Sequence, residues 1–174
     1  SVGPTSAQTA ALTTTQIASL TTDLVSALTT TELRALTSAQ IDALTTTQLN
    51  ALATDHIAAF TTTQVAALTT NQVANLTTAD LAAMSSSQLH ALSTADIQAL
   101  TTTEVASLTT AAAAALSTTQ IAAITTDQIG SLSTADLRAL GTVQIDAFGS
   151  DQLNALTTTQ MGALTTAQVA SLST

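Results

Sequence analysis

The chain has 174 residues, of which 45% are hydrophobic but only 1% aromatic and 7% charged, so a core of Leu, Ile, Val and Ala is expected rather than a disordered stalk. The net charge of −9, with two arginines and no lysine, argues against nucleic acid and anionic membrane surfaces as partners, because both require cations that pair with phosphate. The absence of cysteine excludes disulfides and thiolate sites, and no apolar run approaches the roughly 18 residues of a membrane span, so no membrane insertion is expected.

A repeat of eight residues organises the chain. Residues 4–11, PTSAQTAA, form a degenerate first octad, and residues 12–171 form twenty octads without insertion or deletion. Residues 172–174 begin a further, incomplete octad. Because no change of composition interrupts this period, we predict a single repeat domain over residues 1–174.

The twenty octads share one pattern of residue types, and LTTTQIAS at 12–19 is the first clear copy. Position 1 is large and apolar, position 2 is mostly Thr or Ser, and position 3 is always Thr or Ser. Position 5 is usually Gln, Asp or Glu, and position 6 is aliphatic or Met except at Ala113. Positions 4 and 7 vary, and position 8 is Ala or Ser except at Asn75. Each octad therefore offers two large apolar side chains to a core.

The spacing of these two apolar positions excludes one continuous element. In a strand, positions 1 and 6 would point to opposite faces, and in one straight helix the apolar spacing would average four residues instead of about 3.6. A helix that restarts in every octad fits the pattern, because Thr13 and Gln16 have the spacing of a capping box. Leu12 and Ile17 then occupy the two places of a hydrophobic staple across that cap.

The charged residues follow the polarity that such helices would have. Nine of the eleven acids lie at octad positions 4 and 5, in the first helical turn, where the helix dipole favours anions. Arg34 and Arg138 both lie at position 7, in the last turn, where the dipole favours cations. We therefore predict an all-α fold, a solenoid (superhelix) of very short capped helices of roughly six residues, one per eight-residue repeat. The alternative is a β-solenoid, in which the threonines would form flat ladders.

No set of residues in the sequence has the pattern of a catalytic, cofactor or metal site. His56 follows Asp55 and His90 lies alone, and neither has a Cys or His partner at ligand spacing, so both are predicted to be solvated surface side chains. The sequence contains no nucleophile elbow and no glycine-rich phosphate loop. We therefore predict no catalytic, cofactor-binding or metal-binding residue, no cofactor and no enzymatic activity. Asn75 begins a glycosylation sequon but is expected to be packed at a small-residue position.

The octads LTTTQIAS, LTTNQVAN and LTTAQVAS resemble the L-T-T-x-Q-[ILV]-x-A repeat arrays of large secreted proteobacterial proteins, many of which look like surface adhesins. The resemblance covers nearly the whole chain and carries over no catalytic or binding residue. It implies a location outside the cell or at the bacterial cell surface, and a structural or adhesive use. The calcium motifs typical of such adhesins are missing from this sequence.

Two functions agree with these observations. The first is a non-enzymatic structural repeat protein, either an extracellular stalk or spacer or the subunit of a self-assembling filament. Its partner would be another copy bound end to end, or the continuation of a longer array. The alternative is a surface-binding module that presents the repeated threonines and the variable positions 4 and 7 to a glycan, ice or a mineral. An uninterrupted array without a convergent polar site favours the structural function.

Overall fold

The chain forms a solenoid of short helices. The computed structural model describes residues 4–172, in which 21 helices of four to six residues follow one another, one in each octad. Every helix begins at octad position 3 and ends between positions 6 and 8. The predicted all-α solenoid of capped helices is therefore confirmed. The alternative of a β-solenoid is wrong, because no strand occurs in residues 4–172.

The helices have one or two turns each, and their bounds repeat with the octad. They are α1 Ser6–Ala10, α2 Thr14–Ser19, α3 Thr22–Ser26, α4 Thr30–Ala35, α5 Ser38–Asp42, α6 Thr46–Asn50, α7 Thr54–Ala59, α8 Thr62–Ala66, α9 Thr70–Val73, α10 Thr78–Ala83, α11 Ser86–His90, α12 Thr94–Ala99, α13 Thr102–Ala106, α14 Thr110–Ala115, α15 Thr118–Ala123, α16 Thr126–Ser131, α17 Thr134–Ala139, α18 Thr142–Asp146, α19 Ser150–Ala155, α20 Thr158–Ala163 and α21 Thr166–Ser171.

The threonine at position 2 starts each helix as a cap. Before α2, the Gln16 backbone N–H donates to Thr13 Oγ1 at 3.2 Å, and the Thr13 N–H donates to Gln16 Oε1 at 2.8 Å. Thr13 itself is extended, with φ −73° and ψ 160°, so the chain enters the helix through one non-helical residue. Helices this short are unstable alone in water, and each such cap contributes about 1 kcal/mol. The predicted capping box is confirmed here and in most other octads.

In three octads the capping box lacks the bond to position 2, because position 2 has no hydroxyl. The Ala53 N–H donates to His56 Nδ1 at 3.2 Å, and the Gly141 N–H donates to Gln144 Oε1 at 2.7 Å. Gly149 has the same arrangement as Gly141. The backbone of these octads remains extended at position 2, so the side chain at position 5 maintains the entry to the helix without its partner.

The side chains of positions 1 and 6 form one core that runs along the solenoid. The core cluster extends from Ile17 to Leu156, and its position 6 residues are the most buried, with Leu33 and Ile129 at 0% exposure. Helices pack against helices three octads away, as α1 does against α4 and α14 against α17. Both members of the predicted hydrophobic staple therefore contribute to packing between turns as well as to the cap.

Most of the charges lie where the helix dipole favours them. Asp23 is in the first turn of α3, and Arg34 and Arg138 are in the last turns of α4 and α17, as predicted. Among residues 4–172, no helix has the length and apolar character needed to cross a bilayer.

Candidate functional site

The glutamine at position 5 makes a second set of bonds, which joins distant octads. Gln48 Oε1 accepts from the Thr45 N–H at 2.8 Å, as the capping box requires. Gln48 Nε2 donates to the carbonyl oxygens of Ile17 at 2.8 Å and Leu20 at 2.7 Å, which precede it by 31 and 28 residues. One amide group thus caps the start of α6 and the end of α2, four octads earlier. We call the bonds from Nε2 the inter-turn glutamine bonds.

The inter-turn glutamine bonds recur with the same two separations along the chain. Packed helices are three octads apart, whereas helices joined by these bonds are four octads apart, so one superhelical turn takes between three and four octads. The glutamines that make these bonds are Gln40, Gln48, Gln64, Gln72, Gln88, Gln120, Gln128, Gln144, Gln152, Gln160 and Gln168.

These glutamines are polar groups inside the solenoid wall. Gln72 and Gln168 are each only 2% exposed. Burial of an amide without partners would cost roughly 1–3 kcal/mol, so such a side chain is stable only where both ends are bonded. Among the described residues, no buried side-chain nitrogen or oxygen lacks a hydrogen-bond partner. The inter-turn glutamine bonds stabilise the packing of turns wherever they occur.

Several octads lack the inter-turn bond because position 5 is not an amide. Asp80, Asp96 and Glu104 are each 3% exposed, and their carboxylates bind their own caps. Asp80 Oδ2, for example, accepts from the Thr77 N–H at 3.1 Å and from Thr77 Oγ1 at 2.6 Å. An ionised carboxylate has no hydrogen to donate to a carbonyl oxygen, and the side chain of Ala112 has no polar atom. The octads of Asp96, Glu104 and Ala112 are consecutive, so the middle of the solenoid has the fewest inter-turn bonds.

The two histidines lie apart and have different roles. His56 is partly exposed, and its Nδ1 takes the place of glutamine Oε1 as acceptor for the Ala53 N–H. His90 is exposed as predicted, and its Nδ1 lies 3.4 Å from the Ala115 carbonyl oxygen beside a shallow depression that Ser87 also lines. Within residues 4–172, no group of three His, Cys, Asp or Glu side chains is placed to hold a metal ion.

Rows of polar side chains cover the outside of the solenoid. The position 3 hydroxyls, such as those of Thr14, Thr30 and Thr102, are exposed in most octads. In the described part of the chain, they make no hydrogen bond to other groups of the protein. Position 4 is exposed in every full octad, and position 7 in every one but that of Ala74. These three positions form the surface that a partner would meet.

Five segments of the chain match one family model, described as the ALTTAQ repeat. They are residues 22–54, 48–78, 73–110, 105–134 and 131–166. The chain belongs to the ALTTAQ repeat family. Residues 163–168 read ALTTAQ, which covers octad position 8 and then positions 1 to 5, including the cap and the inter-turn glutamine. No curated protein and no solved structure matches the chain.

Sequence reasoning identified the caps of this ALTTAQ repeat chain but missed its inter-turn glutamine bonds. A sequence pattern could have indicated them, because position 5 has thirteen glutamines and only two glutamates, counting the first octad. Both residues complete a capping box, and the helix dipole would favour the glutamate. The capping box uses only the acceptor oxygen of this side chain. The preference for an amide therefore indicates that its N–H donors have a second role.

Asn75 is not packed as the sequence predicted. It is exposed, and its Nδ2 donates to the Asn71 carbonyl oxygen at 2.8 Å. The prediction was wrong because the amide of Asn75 bonds to Asn71, which is itself exposed at position 4 of the octad.

Glu104→Gln is expected to raise the free energy of unfolding by about 1 kcal/mol. The new Nε2 would reach the carbonyl oxygens of Val73 and Leu76, which precede it by the same 31 and 28 residues as in the existing inter-turn bonds. Urea unfolding followed by far-UV circular dichroism measures the change. Asp127→Asn is the control, because it removes a first-turn charge at an exposed site without adding an inter-turn donor. An equal change in both variants would contradict the explanation.

Proposed function

We propose that the chain is a non-enzymatic structural repeat protein, an extracellular stalk, spacer or filament subunit at a bacterial surface. The observation that carries this proposal is the inter-turn glutamine bond, which repeats from Gln40 to Gln168 and ties each bonded octad to the one four octads earlier. A solenoid with such ties has a length that grows with the number of octads, which is the property that a spacer needs. The resemblance to repeat arrays of secreted bacterial proteins supports the location.

The proposal is tested by the relation between octad number and length. Two variants, one with residues 125–156 duplicated and one with them deleted, add or remove four octads without changing the register. Small-angle X-ray scattering is expected to give three rods of equal cross-section whose lengths differ by a constant increment. A cross-section that grows while the length stays constant would contradict a spacer. Antibody labelling of intact and of lysed producing cells tests the surface location, which requires labelling without lysis.

A surface-binding module is the second candidate, and the position 3 hydroxyls favour it. They recur in every octad, are mostly exposed and are not used as caps, so they are free to bind water or a ligand along the rod. A glycan array and an ice-recrystallisation assay test this function. Binding that is lost when the position 3 threonines of four consecutive octads are changed to alanine would support it, and blank results in both assays would remove it.

A further inference from the structure

One level in the interior of the solenoid lacks the inter-turn glutamine bonds around most of its circumference. Asp96, Glu104 and Ala112 are consecutive position 5 residues, and the bonds of all three stay within their own caps. Among the described residues, no hydrogen bond joins residues 65–84 to residues 96–112. Because one superhelical turn takes between three and four octads, three consecutive gaps span most of a turn. We call the contact between residues 65–84 and residues 96–112 the central junction.

The other gaps between Gln40 and Gln168 are single octads. His56, Asp80 and Asp136 also lack the inter-turn bond, because each binds only its own cap. Each lies between two octads whose glutamines make the bond. The neighbouring bonds therefore hold the two turns together on both sides of a single gap. The central junction has no such support within its three octads.

Apolar packing is also reduced beside the central junction. Ala113 is 1% exposed at position 6, where each of the other octads in residues 12–171 has Val, Ile, Leu or Met. An apolar cavity lies in the same part of the core, and its lining includes Ile97, Val105 and Leu116. Atoms that line a void lose their dispersion contacts on one side. Two independent observations, missing hydrogen bonds and looser packing, therefore coincide at one level of the rod.

We propose that the solenoid opens at the central junction before it opens at the other levels, so that the rod yields at one defined place while the segments on both sides stay folded. The inference deepens the structural function proposed above, and its use in a spacer under tension rests on that function. Opening removes the packing between helices α8 to α10 and helices α12 to α14. Helices this short are unstable without packed neighbours, so the helices at the opened junction lose their backbone hydrogen bonds.

The exchange of backbone amides measures this opening, and the octads provide matched amides. The N–H groups of Val73, Val105 and Ile129 each donate to the position 2 carbonyl oxygen of their own octad, at 2.9, 3.0 and 2.9 Å. All three residues are buried at position 6. Val73 and Val105 lie on the two sides of the central junction, whereas Ile129 lies in an octad whose glutamine makes the inter-turn bonds. A difference in exchange between them therefore reports the packing of turns.

Hydrogen–deuterium exchange followed by mass spectrometry tests the proposal on the full wild-type chain. Peptides that contain Val73 or Val105 are expected to exchange about tenfold faster, or more, than peptides that contain Ile129. Equal rates, or slower exchange at Val73 and Val105, would overturn the proposal.

A variant that combines Asp96→Gln, Glu104→Gln and Ala112→Gln closes the junction. Each new amide keeps or adds an acceptor for its own cap and gains a donor for the carbonyl oxygens 31 and 28 residues earlier. We expect the exchange of peptides from residues 65–84 and 96–112 to slow to about the rate of peptides that contain Ile129. Exchange that stays fast in this folded variant would overturn the assignment of the opening to the missing bonds.

The control for the closing variant combines Asp127→Asn and Asp151→Asn. It also removes two first-turn carboxylates, but at exposed sites and without adding an inter-turn donor. We expect it to leave exchange at the central junction fast, and an equal slowing in both variants would contradict the proposal. Hydrogen exchange depends on neither the length of the rod nor its location. Failure of this inference is therefore distinguishable from failure of the spacer function, which X-ray scattering and antibody labelling test.

Discussion

Leu137→Ala is expected to lower the free energy of unfolding by about 2–5 kcal/mol, the largest effect that we expect from a single substitution in this chain. Leu137 is fully buried at position 6 of its octad, where it completes the staple across the Ser133 cap with Leu132. The substitution removes apolar contacts both within the octad and with the octads packed on it. The core has almost no aromatic side chains and each helix is short, so little else in the octad can close the cavity.

Met161→Ala is the matched control for Leu137→Ala. Met161 occupies the same octad position in α20 but is 47% exposed, so its truncation removes little buried surface. We expect it to cost less than about 1 kcal/mol when both variants are unfolded with urea in dilute, monomeric solution. Equal losses in the two variants would mean that the burial of the side chain does not set the cost of its truncation, and the packing explanation would then be wrong.

Gln128→Ala is expected to cost about 1–3 kcal/mol more than the same substitution at Gln16. Both glutamines accept from the N–H of their own cap, at 2.9 Å from Thr125 and 2.8 Å from Thr13. Only Gln128 is buried, and its Nε2 donates to the carbonyl oxygens of Ile97 at 2.7 Å and Leu100 at 2.6 Å. The difference between the two variants therefore isolates the inter-turn bonds from the capping box.

Glutamate at the same two positions sharpens this comparison. Gln128→Glu keeps an acceptor for the cap but brings a carboxylate, which cannot donate, against two carbonyl oxygens. Gln16→Glu adds the same charge in the first turn of an exposed helix, where the dipole favours it. We expect urea unfolding to show a loss for Gln128→Glu and no loss for Gln16→Glu. Equal effects at both sites would show that the inter-turn bonds contribute nothing to stability.

The local structure of each octad was predictable from its residues. Thr13 and Gln16 specify a cap, Leu12 and Ile17 specify the staple, and their repetition every eight residues requires a helix in every octad. These interactions join residues no more than five positions apart, so they depend on the chain alone. The triple threonine of LTTTQIAS, which has the composition of a strand, therefore folds as a cap followed by the first helical turn.

The relation between octads was decided by the tertiary structure. The sequence shows the glutamines but not which carbonyl groups they reach. The separations of 31 and 28 residues depend on how far the chain direction rotates about the solenoid axis at each extended cap residue. That rotation is set by packing the position 1 and position 6 side chains of helices three octads apart. Once it is set, the amide at position 5 lies against the end of a helix from the previous turn. The sequence alone determined the capped helix in each octad, and only the packing of turns decided which octads meet.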